Sequence, residues 1–343
     1  MRIAVDAMGG DNAPDVNIEG ALMAVDQIPD GDSIILIGDE SVLKERIPSK
    51  YIESGKIQLV HASEVIGMDE SPVIALRHKK DNSISVMAKL AANGEADAVV
   101  SAGNTGACVA ACQLRMRNLP GVNRPGITIV MPTSGGPVAV CDVGANVSCK
   151  PINLYQYAVM SSLYMEMMHN IEKPRIGLIS VGEEDSKGNE MVKKTRDLLR
   201  GDKRLNFIGN IEGHDLFKGV CDVAVCDGFV GNIILKVSEG LIANIVKVVK
   251  EEIQNCKSII IKLLALKFKS AFKVMFKKYD YHEYGGAQLI GVNGTSIICH
   301  GSSVGRSICN AILAAEKLRN EHLNEKIVDF LEKSNYQGAA NGQ

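Results

Sequence analysis

The chain has 343 residues, 46% of them apolar and 23% charged, with a formal charge of −2 at pH 7. That length suits one large α/β unit or two lobes rather than a single small core, and the near-neutral charge argues against nucleic acid as the main partner. There is no Trp and aromatic residues make up only 4%, so the core must be built from Val, Ile, Leu, Ala and Met.

Short apolar runs recur along the chain: RIAV (2–5), SIILIG (33–38), KIQLV (56–60), DAVVS (97–101), GITIVM (126–131), VAVCDV (138–143), RIGLIS (175–180), DVAVCD (222–227) and SIICH (296–300). They are rich in Val and Ile and lack polar alternation, as parallel strands covered on both faces do. Helical patterns fall between them, at about 15–27, 83–93, 105–117, 152–169, 189–200, 230–254 and 304–333. The alternation predicts a mainly parallel sheet with helices on both sides. It reads as one catalytic α/β unit over 1–335 with a frayed tail at 336–343, and KPRIGLIS near 174 is a candidate opening of a second lobe.

The first residues, MRIAVDAMGGDNAP, carry acids and glycines where a signal peptide needs an apolar run. No run reads as 18 or more apolar residues, the length of a membrane span. These features predict a cytosolic chain. The nine Cys then read as reduced, buried hydrophobes. Cys108 and Cys112 share a helical face, but no His or second Cys pair stands beside them to complete a metal site.

Gly-rich polar loops follow the strands repeatedly, and in an open α/β sheet ligands bind beyond the strands' carboxyl ends. DAMGGDNAP (6–14) places Asp6 at a strand end, with Gly9 and Gly10 free to turn. SAGNTGA (101–107) offers Ser101, Gly103 and Gly106, with Asn104 or Thr105 as helix cap; backbone N–H groups at such a helix start suit phosphate. An ordinary strand-to-helix turn has the same composition. DVGAN (142–146) is weak alone. In GEEDSKGNE (182–190), Lys187 stands among acids, which predicts either a cation held by neighbouring carboxylates or a solvated surface loop. CDGFVGN (226–232) and HGSS (300–303) complete the set. None fits a P-loop, a G-x-G-x-x-G fingerprint after the first strand, or a G-x-S-x-G elbow.

One segment differs. Between Glu252 and Asp280 there are seven Lys and no acid. On a helical wheel Lys262, Lys269, Lys273 and Lys277 gather opposite Ile261, Leu264, Phe268, Phe272 and Met275. A helical segment over 240–280 could pack on a second subunit or lie on an anionic membrane.

Taken together, IAVDAMGGDNAP, SAGNTGA, DVGAN, GEEDSKGNE, DGFVGN, EYGGAQLIGVNG and HGSS, in this order from residue 3 to 303, resemble the bacterial phosphate acyltransferases of phospholipid synthesis. The resemblance implies a three-layer α/β/α sandwich similar to isocitrate and isopropylmalate dehydrogenases and to phosphate acetyltransferases. It implies transfer of an acyl group from acyl carrier protein to inorganic phosphate, giving acyl phosphate for a membrane glycerol-3-phosphate acyltransferase. It also implies a homodimer that is cytoplasmic and peripherally bound to an anionic membrane surface, with no cofactor and no metal. Gln288 stands where the family pattern leads us to expect Pro.

For that reaction phosphate is already largely a dianion near neutral pH and needs no strong base. The site must capture it, align it with a thioester carbonyl and stabilise the developing oxyanion. The loops then assign Lys187 to neutralising phosphate or the oxyanion, and Asn104 and Thr105 with their backbone to cradling phosphate. Asn146 and Asn232 would orient the carbonyl or phosphate, and His300 would protonate the leaving thiol or serve a structural role. Asp6, Gly9, Gly10, Ser101, Gly103, Gly106, Asn189, Gly301 and Ser302 complete the expected substrate-binding set. An acidic carrier protein should meet a basic patch, for which the Lys-rich segment competes with the membrane. The rival readings are a short-chain acyl-CoA phosphotransacetylase, a decarboxylating dehydrogenase and a non-catalytic lipid-surface protein.

Overall fold

A computed structural model describes residues 1–256, 258 and 285–334. The predicted amphipathic segment, with Lys262, Leu264, Phe268, Lys269, Phe272 and Lys273, lies outside the described residues, as does the tail at 336–343.

Eleven strands form one sheet: β1 (Arg2–Asp6), β2 (Ser33–Gly38), β3 (Ile57–His61), β4 (Ala98–Ser101), β5 (Gly126–Thr133), β6 (Gly136–Cys141), β7 (Arg175–Ile179), β8 (Asn206–Ile211), β9 (Val223–Val225), β10 (Ala287–Ile290) and β11 (Thr295–Ile298). Their order across the sheet is β3-β2-β1-β4-β11-β10-β5-β6-β9-β7-β8. The β3-β2-β1-β4-β11 block is parallel within itself, and so is β6-β9-β7-β8. Antiparallel pairings of β10 with β11, β10 with β5 and β5 with β6 join them. The two blocks therefore run in opposite directions.

The nine expected strands are all present. The β5–β6 pair forms a hairpin rather than two parallel strands, because TSGG at 133–136 makes a tight turn. Thr133 Oγ1 donates to the Gly136 carbonyl at 2.6 Å, and Gly136 takes φ +120°.

The register sets the site. One row of paired residues crosses the sheet: Val5, Val100, Ile297, Gln288, Thr128, Cys141, Val225, Leu178. In β1, β4, β11, β6, β9 and β7 this row lies within one residue of the strand's carboxyl end. The loops of both blocks thus leave the sheet from a common line, in opposite directions.

Two hydrophobic layers cover the sheet. On one face Ile3, Val5, Val100, Ile176, Leu178 and Val223 pack with α1 (Asp15–Val25), α7 (Pro151–His169), α8 (Glu190–Gly201), α10 (Gly305–Asn320) and α11 (Leu323–Glu332). On the other, Ala4, Val99, Ile127, Val140, Ala224 and Ile298 pack with α5 (Ser83–Ala92), α6 (Thr105–Arg115) and the start of α9 (Gly228–Asn255). This is the expected α/β/α sandwich. The helical pattern at 304–333 is two helices rather than one, because His322 takes a left-handed conformation (φ +57°) between them. Three short helices, α2 (Glu40–Arg46), α3 (Ser49–Glu53) and α4 (Pro72–His78), were not expected.

The helix α9 departs from expectation in another way. By length and composition Gly228–Ile253 is able to cross a membrane, and almost none of it is buried within the chain. The sequence reading found no such segment because Lys236 and Glu239 interrupt the apolar run; in the fold they pair with each other at 3.0 Å.

Candidate active site

Three loops of the first block interlock at the common line. Asp6, at the end of β1, is buried; its Oδ2 accepts a hydrogen bond from Ser101 Oγ at 2.7 Å and its Oδ1 one from Met8 N at 3.1 Å. Ser101 Oγ in turn accepts from Gly103 N at 3.0 Å. A methyl group on Gly9 would overlap both Asp6 Oδ2 and the Gly103 backbone, so the two loops approach this closely only with glycine there. Burial pushes the Asp6 carboxyl above its ordinary value, against hydrogen bonds from Ser83 and Ser101. Asp11 N donates to the Gly301 carbonyl at 2.8 Å, which ties the β1 loop, turned at Gly10, to the loop after β11.

Asn104 caps α6. Its Oδ1 accepts from Ala107 N at 3.0 Å, and its Nδ2 faces the carbonyls of Gly67, Met68 and Glu70 at 3.0–3.1 Å. The side chain is buried and its hydrogen-bonding capacity is occupied by the protein. Thr105, the first residue of α6, is exposed, and Gly106 lies against the Pro72 ring.

The second block has its own buried carboxylate, which the sequence reading did not single out. Asp142 directly follows β6. Its Oδ1 accepts from the backbone N–H of Ile127 (3.1 Å), Gly144 (3.0 Å) and Ala145 (2.8 Å), and its Oδ2 from Asn146 N (2.7 Å). Burial raises its pKa while these donors oppose the rise. Asn146 Nδ2 donates among Pro125 O, Tyr157 Oη and Asp142 Oδ2, so Asn146, like Asn104, shapes its loop. The start of α9 sits directly on this loop: Gly228 N donates to the Asn146 carbonyl at 2.9 Å, and a methyl group on Gly231 would overlap the Asp142 carbonyl.

Between the two sets lies a groove with a volume of 810 Å³. Ile127, Ile129 and Met131 of β5 form its floor, and Leu235, Leu241, Ile242 and Ile245 of α9 form one wall. Its polar lining comprises Thr105, Asn232, Lys236, Ser238, Glu239 and His300. Three of the expected residues, Thr105, Asn232 and His300, are thus brought to one cavity. Lys236, one helical turn beyond Asn232, joins them unpredicted: its Nζ lies 2.8 Å from His300 Nε2 and 3.0 Å from Glu239 Oε2. His300 Nδ1 lies 2.7 Å from Ser302 Oγ and 3.2 Å from Ser302 N. An ammonium only donates, so Nε2 accepts from Lys236, while Nδ1 faces both the hydroxyl and the backbone N–H of Ser302. Cys299 also lines the groove, but burial pushes its thiol up to about 12, so it is no nucleophile near neutral pH.

Lys187 sits on the exposed loop after β7, two strands beyond β6, and does not line the groove. The expectation that neighbouring carboxylates hold it is not met. Among the described residues Asp185 pairs instead with Arg200 and Arg196, whose guanidinium groups reach it from α8. Asn189 caps α8 by accepting from Val192 N at 2.9 Å.

Comparison with known proteins adds to this geometry. Residues 1–326 match the model of a family described as fatty acid synthesis protein. The chain is 47% identical over 332 residues to a phosphate acyltransferase from Geobacter sulfurreducens, covering 97% of this chain and 94% of the relative. It is 48% identical over 334 residues to one from Thermodesulfovibrio yellowstonii, covering 97% and 95%. Among solved structures it is similar to a phosphotransacetylase from Streptococcus pyogenes (TM-score 0.58, 16% identity, 93% of this chain and 94% of that one). It is also similar to the phosphotransacetylase EutD from Staphylococcus aureus (TM-score 0.55, 17% identity, 92% and 94%). At these identities the structural likeness speaks for the fold.

Proposed function

We propose a reaction for this chain from one premise: it belongs to the phosphate acyltransferase family and is an acyltransferase. In this reading it moves a long fatty acyl group from acyl carrier protein to inorganic phosphate, and the acyl phosphate goes on to glycerol-3-phosphate acylation at a membrane.

The observation that carries the reading is the apolar groove that opens onto the polar loops. Its 810 Å³ falls within the roughly 300–1,000 Å³ of ligand pockets. Its floor and α9 wall are aliphatic, as a fatty acyl chain requires. The thioester then lies at the polar end beside Asn232, Thr105 and His300. A phosphate oxygen attacks the carbonyl carbon, the C–O bond forms, the C–S bond breaks, and the carrier leaves as a thiolate. A thiolate departs without an acid, so His300 serves to hold Lys236 and Ser302. The buried carboxylates Asp6 and Asp142 fix the loops of the two blocks, Asp6 by joining the β1 loop to Ser101 and Asp142 by accepting from Ile127 and from its own loop.

The aliphatic lining of the groove suits a long acyl chain, which favours the long-chain reading over the phosphotransacetylase one. The homodimer and the anionic membrane surface belong to the same proposal. The exposed Ile233, Val248 and Val249 on α9, outside the groove lining, support a covered face there, because exposed apolar surface marks an interaction site. The test is an assay of the purified protein with palmitoyl carrier protein. Carrier thiol should appear only with phosphate present; equal release without phosphate makes the protein a thioesterase.

A further inference from the structure

We infer that Lys236, and not a residue of the loop after β7, is the cation that receives the phosphate dianion. This rests on the acyl-transfer reading above. Among the described residues Lys236 is the only Lys or Arg that lines the groove. It enters from α9 one turn after Asn232, so both project from the same side of the helix. Its ammonium has three donors. Among the described residues Glu239 Oε2 takes one at 3.0 Å and His300 Nε2 a second at 2.8 Å. The third remains for a ligand.

The surroundings give this charge its effect. The apolar floor and the aliphatic wall of α9 border the half-exposed ammonium, and a charge contact beside a low-dielectric wall is stronger than the same contact in water. Glu239 and His300 hold the long, flexible side chain at the groove's polar end before any ligand arrives, which lowers the entropy lost on binding. His300 is itself fixed through Ser302, so the loop after β11 sets the position of a side chain on α9. His300 and Glu239 are therefore positioning residues, and Lys236 is the group that touches the anion. With the dianion bound, the ammonium is flanked by Glu239 and phosphate.

The experiment measures release of carrier thiol from palmitoyl carrier protein against phosphate concentration for the parent protein, Lys236→Met, Lys236→Arg and Glu239→Gln. Lys236→Met should raise the phosphate KM at least tenfold and lower kcat roughly 10²–10³-fold, as loss of one such contact at a reacting centre does. The KM for palmitoyl carrier protein should stay within about twofold, since the groove walls are untouched. Lys236→Arg, which keeps the charge, should recover much of the phosphate KM and less of kcat, because the guanidinium cannot reproduce the His300 contact. Glu239→Gln should change kcat with little effect on the KM for acyl donor. Lys236→Met with phosphate saturation and kcat within threefold of the parent overturns the assignment. If Lys236→Met does not fold, a Lys236→Gln variant with both phosphate KM and kcat within threefold of the parent overturns it as well. A parent protein that releases thiol without phosphate refutes the acyl-transfer reading instead, so the two failures are told apart.

Discussion

Replacing Asn104 with Ala separates a loop-holding role from a ligand-binding one. The Oδ1 bond to Ala107 N is an N-cap, and its loss costs about 1 kcal/mol. Nδ2 has two protons for three carbonyls, those of Gly67, Met68 and Glu70. Two hydrogen bonds at about 1 kcal/mol each bring the total to about 3 kcal/mol. Asn189→Ala is the control, because among the described residues its side chain bonds only the cap partner Val192 N, for an expected loss of about 1 kcal/mol. Urea unfolding measures both, and phosphate-dependent thiol release measures function. Asn104→Ala should lower kcat through movement of the 67–70 loop while the protein binds phosphate with less than a threefold change in KM. If it costs no more stability than Asn189→Ala and raises the phosphate KM tenfold, the side chain serves the ligand and the loop-holding argument fails.

Gly231→Ala should destabilise the protein and abolish most activity, because the added methyl must push α9 off the Asp142 carbonyl; a variant with normal melting and turnover would show that the contact is loose. For Asp6 the folded pKa is raised above 3.8 by burial, so its contribution to stability is complete below 3.8 and is lost as pH rises through the folded value. Asp6→Asn should therefore lose less stability than the parent between pH 4 and pH 7, and an equal loss in paired thermal melts would contradict this. Leu241→Glu on the groove wall should weaken use of a palmitoyl donor by roughly 10–100-fold, the equivalent of about 1.5–3 kcal/mol of side-chain burial, and should affect a butyryl donor little. Equal effects on both donors would remove the acyl chain from the groove.

Much of this arrangement was legible in the residues. Continuous apolar runs marked β1, β2 and β4, whose residues are almost all buried from both sides. The edge strand β8 was missed because NFIGNI alternates exposed and covered residues instead of forming a run, and β10 because it is short and flanked by glycines. Strand direction was not legible, since buried parallel and antiparallel strands share one composition. Direction decides which loops meet, so the same reading that named His300 and Asn232 also named Lys187, which lies outside the groove. Lys236 was hidden as one charge in an apolar helical pattern, visible only once His300 stood beside it. Asn104 and Asn146 were recognised as polar loop residues, but a sequence does not show whether an amide points to a ligand or back to its own backbone.

The opposed blocks have an electrostatic consequence. Helices α1, α6 and α10 follow strands of the first block, and α8 and α9 follow strands of the second, so the amino ends of all five start from the one line across the sheet. Each helix carries about half a positive charge at that end. In a sheet with a single strand direction those ends would lie along one rim, whereas here they face the line from two sides. Asp15, Glu190 and the capping Asp227 stand at the starts of α1, α8 and α9 and offset that charge, which leaves α6 and α10 as the starts without an acid in their first turn.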